Sequence, residues 1–376
     1  MRIVIIMGIA DTYSRGRKIA IERPGVLLVA LVAVVLVADL ARQFSTGDVQ
    51  VHDIGSLVWD GLMRGLVIGL AGIGLSMTYS ILNFANFSHG DYITAGAFSG
   101  WATTYLIAGV ARPNADLGSL LLVGAGGSVF GGALGIGVLG TPLAVVLGLV
   151  VAGGFTILLS LGVDRFIYKP IRDEGGITLL ITSIGVAFAL RYLMQFVFGS
   201  DVRGTTAQPP QIGAYLWDGQ VFISAHDLAL VVVAGGLMLG VHVLLQTTKL
   251  GKAMRAMADN EDLARITGIP TERVVRSTWI IGGGLTGVAG YMFVLWKGTL
   301  GFNDGWLLLL LIFAAVILGG IGSIYGAIAG GLIIGLTASM SVIWIPSAFA
   351  RAAAFFVMIV ILLVKPQGIF AGRSTA

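Results

Sequence analysis

Cysteine is absent from the 376 residues, which excludes disulfides, thiolate metal sites and cysteine nucleophiles. Charge is scarce. Asp, Glu, Lys and Arg make up 11% of the chain, where a soluble domain carries roughly 25%. So little charge cannot cover a globule of this size with polar surface. An ordinary cytosolic enzyme and a disordered chain are both excluded. Histidine is sparse: His52, His89, His226 and His242 stand far apart, with no H-E-x-x-H spacing to suggest a zinc site. No G-x-x-x-x-G-K-[ST] loop occurs. The only Gly-Lys pair, Gly251-Lys252, is followed by alanine, so the chain shows no P-loop of its own. A net charge of +4 is too small to argue for nucleic acid. Apolar residues are abundant, at 56% with a mean hydropathy of +0.94. They come in unbroken runs of helix-spanning length, not in short alternating segments. That counts against a β-barrel and for an all-α, polytopic transmembrane helical bundle.

A span needs about 20 mostly apolar residues. Eleven candidates stand near 24–40, 58–80, 90–110, 117–139, 142–163, 177–198, 228–247, 277–297, 306–322, 325–345 and 351–364. Polar stretches separate them at 1–23, 39–57, 164–176, 199–227 and 248–276, with a tail from Lys365. Lysine and arginine near span ends mark the cytoplasm. If all eleven cross from an inside N-terminus, 7 of these residues fall inside and 13 outside. If 117–139 does not cross, the count becomes 16 inside and 4 outside, the remaining 3 lying within spans. The glycine-rich 117–139 is therefore expected to be an external or re-entrant insert. About ten crossings then remain, with broken or re-entrant helices and both termini cytoplasmic. Residues 1–57 read as an N-terminal cytosolic segment and a first, uncleaved span. Residues 58–371 read as the main membrane domain and 372–376 as a tail.

Three stretches carry chemistry. In GLSMTYSILNFANFSHGDYITAGAF (74–98) a hydrophobic helix stops at Asn83, and Asn86, Ser88, His89 and Asp91 follow before a second helix begins. Polar backbone at membrane depth must be buried in protein or face a water cavity. Broken helices are a common way to build a transport site, because helix ends offer unpaired N–H and C=O groups. A short turn with Asp91 at a helix start is the plainer reading. The second stretch, AAVILGGIGSIYGAIAGGLIIGL (314–336), is interrupted at Gly319, Gly320, Gly322 and Ser323. Helix packing by small residues would also explain it. Together the two hint at internal duplication. The third stretch, 248–276, is the longest charged segment, with 6 basic and 4 acidic residues. Its middle reads as a short helix that Asn260 caps and Gly268 ends. Ile266 and Ile269 are expected to be exposed there, as a docking surface would require.

GKAMRAMADNEDLARITGI resembles the cytoplasmic EAA-type coupling loop of ABC importer permeases, in the branched-chain amino acid variety. LNFANFSHGDYITAGAF, YKPIRDEGGITLLITSIGVAF, AAVILGGIGSIYGAIAGGLIIG and KPQGIFAG resemble further motifs of that family. They occur in the family's order, from about residue 65 to 371. The resemblance implies a non-enzymatic permease subunit in the inner (plasma) membrane, partnered by a second homologous permease, two cytosolic ATPases and an external solute-binding protein. Leucine, isoleucine and valine would be the cargo. No cofactor would sit in this chain; ATP and Mg would belong to the ATPases. Asp259, Glu261, Asp262, Leu263, Ala264, Arg265, Ile266, Gly268 and Ile269 would form the ATPase-coupling helix and its stop. Asn83, Asn86, Ser88, His89, Asp91, Ser183, Gly319, Gly320, Gly322 and Ser323 would lie along the translocation path. Urea or short amides are the competing cargo. A self-contained secondary transporter is a rival, disfavoured because Arg64, Arg191, Lys297 and His242 read as lying toward span ends rather than deep in the membrane. A membrane enzyme would want clustered His, Asp or Glu, which only His89 and Asp91 approach.

Overall fold

The computed structural model describes residues 24–110 and 134–370. Twelve α-helices run through them, with two small antiparallel strand pairs as the only sheet among the described residues. The long helices are α1 (Pro24–Thr46), α2 (Val51–Leu82), α3 (His89–Gly109), α4 (Pro142–Val163), α5 (Gly176–Phe198) and α6 (Ala225–Thr247). Two short helices follow, α7 (Lys249–Asp259) and α8 (Glu261–Ile266). Then come α9 (Thr271–Lys297), α10 (Asp304–Gly319), α11 (Ile324–Met340) and α12 (Ala350–Val364). Strand β1 (Arg203–Gly204) pairs with β4 (Thr299–Leu300), and β2 (Gln211–Leu216) forms a hairpin with β3 (Gly219–Ser224).

The strands gather at one end of the bundle and α7–α8 at the other. Interhelix contacts fix the direction of each helix. Trp59 Nε1 donates to Asp227 at 3.1 Å, which sets the start of α2 beside the start of α6 at the hairpin end. Thr104 Oγ1 donates to the carbonyl of Ala144 at 3.2 Å, so the last turns of α3 lie beside the first turns of α4. The chain thus leaves α3 and enters α4 at the same end. Most of 117–139 lies outside the described residues. Its last part is described: Leu134 and Ile136 are buried, and the Ile136 carbonyl accepts from Ala207 N at 2.8 Å.

Among the described residues, seven helical stretches are long and apolar enough by length and composition to cross a membrane, and shorter or more polar helices stand beside them. Two of the other long helices fall short for clear reasons. α10 has only 16 residues, about 24 Å of helix. α3 is polar for a span, with His89, Asp91 and Thr94 all buried. It is wrapped by protein and needs no lipid-facing stripe. Burial grades the bundle: 78% of the apolar window of α2 and 72% of that of α9 is buried, against 11% for α12. The core is therefore α2, α3 and α9. The outer faces of α4, α5, α6 and α12 expose Val150, Ile181, Val232 and Leu363, as contact with lipid tails requires.

The polar stretches differ from the expectation. Residues 39–57 are mostly helical, because α1 continues to Thr46 and α2 begins at Val51. A boundary at 57/58 would fall inside α2. Residues 164–174 also stay helical, as a π turn (Asp164–Tyr168) and a 3-10 segment (Lys169–Glu174). Hydropathy marks where a helix leaves the apolar layer, not where it unwinds.

Glycine sets the close seam between α2 and α11. A Cβ at Gly331 on α11 would lie 2.6 Å from Gly69 N and 2.7 Å from Gly69 Cα on α2. With no hydrophobic drive between helices in lipid, such backbone approach supplies the van der Waals contact that holds them.

Candidate functional site

Helix α2 ends at Asn83, which takes a left-handed conformation (φ 52°) while its N–H bonds to Tyr79 O. Asn tolerates this region better than most residues. The chain then runs unwound along α5. Phe87 N donates to Ser183 Oγ at 3.0 Å, so Ser183 satisfies one backbone group of the break. Asn86 Oδ1 accepts from Ser88 N at 3.1 Å and from Ser88 Oγ at 2.7 Å. Ser88 Oγ also meets Tyr168 OH at 2.8 Å, and the Tyr168 ring stacks on Trp279 at 5.7 Å. The Asn86 side-chain amide nitrogen has no partner among the described residues.

His89 opens α3. Its Nε2 lies 2.9 Å from the carbonyl of Ala71 in α2. A carbonyl can only accept, so Nε2 carries the proton. Asp91 accepts two bonds from Arg191, at 3.1 and 3.0 Å. The guanidinium also lies 4.3 Å over the Trp306 ring. Both partners are buried. Arg191, read from its sequence position as lying toward a span end, is held inside the bundle against the start of α3.

The second interruption is the turn between α10 and α11. Gly320 and Gly322 have φ of 103° and 84°, values that glycine adopts at little cost. Ser323 Oγ accepts from Gly326 N at 3.0 Å and so caps α11. Ser80 Oγ, near the end of α2, donates to Gly322 O at 3.0 Å. That bond brings the two interrupted segments together. The C-terminal stretch joins them: Ile369 N and Phe370 N donate to the carbonyls of Leu318 and Gly319, at 2.9 and 3.0 Å. Those carbonyls are the orphan acceptors of the α10 C-terminus. Sequence reading named the KPQGIFAG motif without finding this use for it.

At the opposite end from the hairpin, α7 buries Met254 and Met257. Asn260 links it to α8, its Oδ1 accepting from Leu263 N at 2.9 Å. At the far end of α8, Gly268 has φ 85°, Gly268 N bonds to Arg265 O and Ile269 N to Ala264 O. This is a Schellman stop. Ala264 is buried, whereas Leu263 is 55% exposed and Ile266 80%. Ile269, expected on the surface, packs back against the core, as the apolar residue after a Schellman glycine often does. Glu261 and Arg265 pair at 2.8 Å, and Asp262 is exposed. Asp259 ends α7, one residue before this cap.

The family described as "Branched-chain amino acid transport system / permease component" matches residues 57–364. The chain is 28% identical over 314 residues to the high-affinity branched-chain amino acid transport system permease protein LivH of Escherichia coli, covering 83% of this chain and 94% of that protein. It is 26% identical over 321 residues to BraD of Pseudomonas aeruginosa, described in the same words, covering 85% and 95%. A probable LivH of Methanocaldococcus jannaschii is 28% identical over 323 residues, covering 84% and 90%. No solved structure matches the chain. With interrupted helices buried at its centre and a family match spanning most of its length, the chain belongs to the branched-chain amino acid transport permease family.

Proposed function

We propose that this protein is the membrane-spanning subunit of an ATP-driven ABC importer, passing leucine, isoleucine and valine across the inner membrane. It would work with a second homologous permease, two cytosolic ATPases and an external binding protein. The observation that carries the reading is α8: a short helix capped at both ends that presents Leu263 and Ile266 to solvent among charges. An exposed apolar pair on a rigid, charged element is suited to docking. Closure of the ATPases would move α8 as a lever and switch the bundle between outward and inward access. ATP and Mg would stay on the ATPases. The end bearing α7–α8 and both chain termini would face the cytosol, and 117–139 would be external or re-entrant. Asn83, Asn86, Ser88, His89 and Asp91 would support the path rather than bind the solute strongly, since most of them are buried and bonded to protein.

The deciding experiment is uptake by proteoliposomes holding this chain with its permease and ATPase partners, fed by the binding protein. Labelled leucine, isoleucine and valine should accumulate with ATP, and excess urea or acetamide should not compete. Accumulation of urea without leucine would assign the cargo to the amide class. Uptake without ATPases would move the protein to the secondary transporters.

A further inference from the structure

The seam between α4 and α9 carries two cavities, one above the other. The helices run antiparallel there, with Ser160 Oγ donating to Trp279 O at 3.2 Å. Toward the middle of the bundle is an apolar groove of about 820 Å³, bounded by Gly154 and Ile157 of α4, Ile280 and Gly284 of α9, and Val233 and Gly240 of α6. One turn further along the same two helices, at the α7–α8 end, a cavity of about 670 Å³ begins at Leu161 and Arg276. Its wall is charged, with Asp164, Arg165 and Lys169 from one side and Glu272, Arg273 and Arg276 from the other.

The charges in that wall are not balanced. Arg172 bridges Asp164 at 2.8 Å and Glu272 at 2.9 Å, and Lys169 reaches Glu272 at 2.7 Å. Two acids and two bases thus neutralise each other. Arg165, Arg273 and Arg276 are left with no ion-pair partner among the described residues. Three guanidinium groups around one cavity fit a phosphate, which arginine binds through several parallel N–H donors. The cavity opens where the apolar run of α4 gives way to charged residues, and Phe166 beside it is 76% exposed. A free anion would need only this cavity. The groove one turn away along the same helices is lined by apolar side chains and glycine, which is suited to a hydrocarbon chain.

We propose that the α4–α9 seam holds one anionic phospholipid, its phosphate against Arg165, Arg273 and Arg276 and an acyl chain in the apolar groove. Basic pockets between spans on the cytoplasmic side are suited to such headgroups. The inference rests on the membrane-spanning fold and not on the cargo, so it stands or falls apart from the transport reading.

The test uses the full chain in nanodiscs, with retained lipid counted by native mass spectrometry. Phosphatidylglycerol should be retained at about one per chain over phosphatidylcholine of the same chain length. The triple variant Arg165→Gln, Arg273→Gln, Arg276→Gln should lower that retention at least tenfold, and the corresponding Lys triple should keep most of it. If the Gln triple does not purify as a single species, each single Gln variant should show a severalfold loss. Gly154→Phe fills the groove, since a Cβ at Gly154 meets no atom within 4 Å. It should reduce binding of the long-chain lipid while leaving binding of soluble glycerol phosphate as in the parent. Unchanged phosphatidylglycerol in the Gln triple and in the single variants overturns the proposal. So does unchanged phosphatidylglycerol retention in Gly154→Phe, which would mark a site that holds the phosphate alone. Disulfide capture of a cysteine at position 154 by a second permease subunit would assign the groove to protein and overturn it too.

Discussion

At the scale of single residues, Asp91–Arg191 is the most deeply buried ion pair among the described residues. Two charges taken out of water are costly to leave alone, while the intact pair is close to neutral in its net effect. Arg191→Met should therefore destabilise the protein by about 3–5 kcal/mol, and adding Asp91→Leu should recover much of that loss. Thermal unfolding in detergent measures both; equal losses in the single and double variants would show that lone charge is not the cost. A second carboxylate makes a pH-dependent contact outside the spans. Asp218 at the hairpin tip accepts from Val51 N at 2.9 Å and His52 N at 3.0 Å, the first N–H groups of α2. The bond from Val51 is the main reason its carboxyl is held below the usual range. A depressed carboxylate pKa stabilises fully above the unfolded value, about 3.9, and that contribution is lost as pH falls through the folded value. Protection of the Val51 and His52 amides from hydrogen exchange should fall as the pH drops below about 4. Asp218→Asn should abolish the acid step while leaving the other amides of α2 protected.

At the scale of elements, short-range signals were legible and long-range ones were not. The α8 boundaries follow from Asn260 and Gly268, because a cap and a left-handed stop act within a few residues of themselves. The α7 helix was not separated from the rest of the charged stretch 248–276, where charged residues alternate with the buried Met254 and Met257 and the packed Leu250, Ala253 and Ala256. The Asp91–Arg191 pair joins residues 100 apart, and the Ser80–Gly322 bond joins residues 242 apart. No periodicity records such meetings. Two polar stretches read as loops proved helical, since a helix leaving the apolar layer changes composition but keeps its backbone bonds. The stop at Gly268 offers the sharpest test at this scale. Position 268 needs φ near 85°, which valine reaches only with strain, although a Cβ there would meet no neighbour within 4 Å. Gly268→Val should thus leave packing intact and misdirect the chain after α8. The expected outcome is normal membrane abundance, reduced co-purification of the ATPase, and loss of solute-stimulated ATP hydrolysis. Normal assembly with normal stimulation would refute a coupling role for α8.

At the scale of the whole molecule, ten long helices alternate between two ends, and the contact of Thr104 with Ala144 makes the order of α3 and α4 unambiguous. If each long helix crosses, α7–α8 and the end of α12 lie on one side and the β2–β3 hairpin on the other. The proposal that the α7–α8 end is cytosolic rests on charge: among the described residues, 164–176, 248–276 and 365–370 hold 10 Lys and Arg at that end, against Arg42, Arg203 and Arg351 at the hairpin end, and such an excess faces inward. The protein has no cysteine, so one introduced thiol reports one site without background. Trp217→Cys sits at the hairpin tip, where the side chain is 95% exposed. In intact cells it should react with a membrane-impermeant maleimide. Asp259→Cys, at the junction of α7 and α8, should react only after the membrane is opened. Reaction of both from outside would break the alternation of helices. Reaction of Asp259→Cys alone from outside would invert the molecule and put α8 beyond the reach of any cytosolic ATPase.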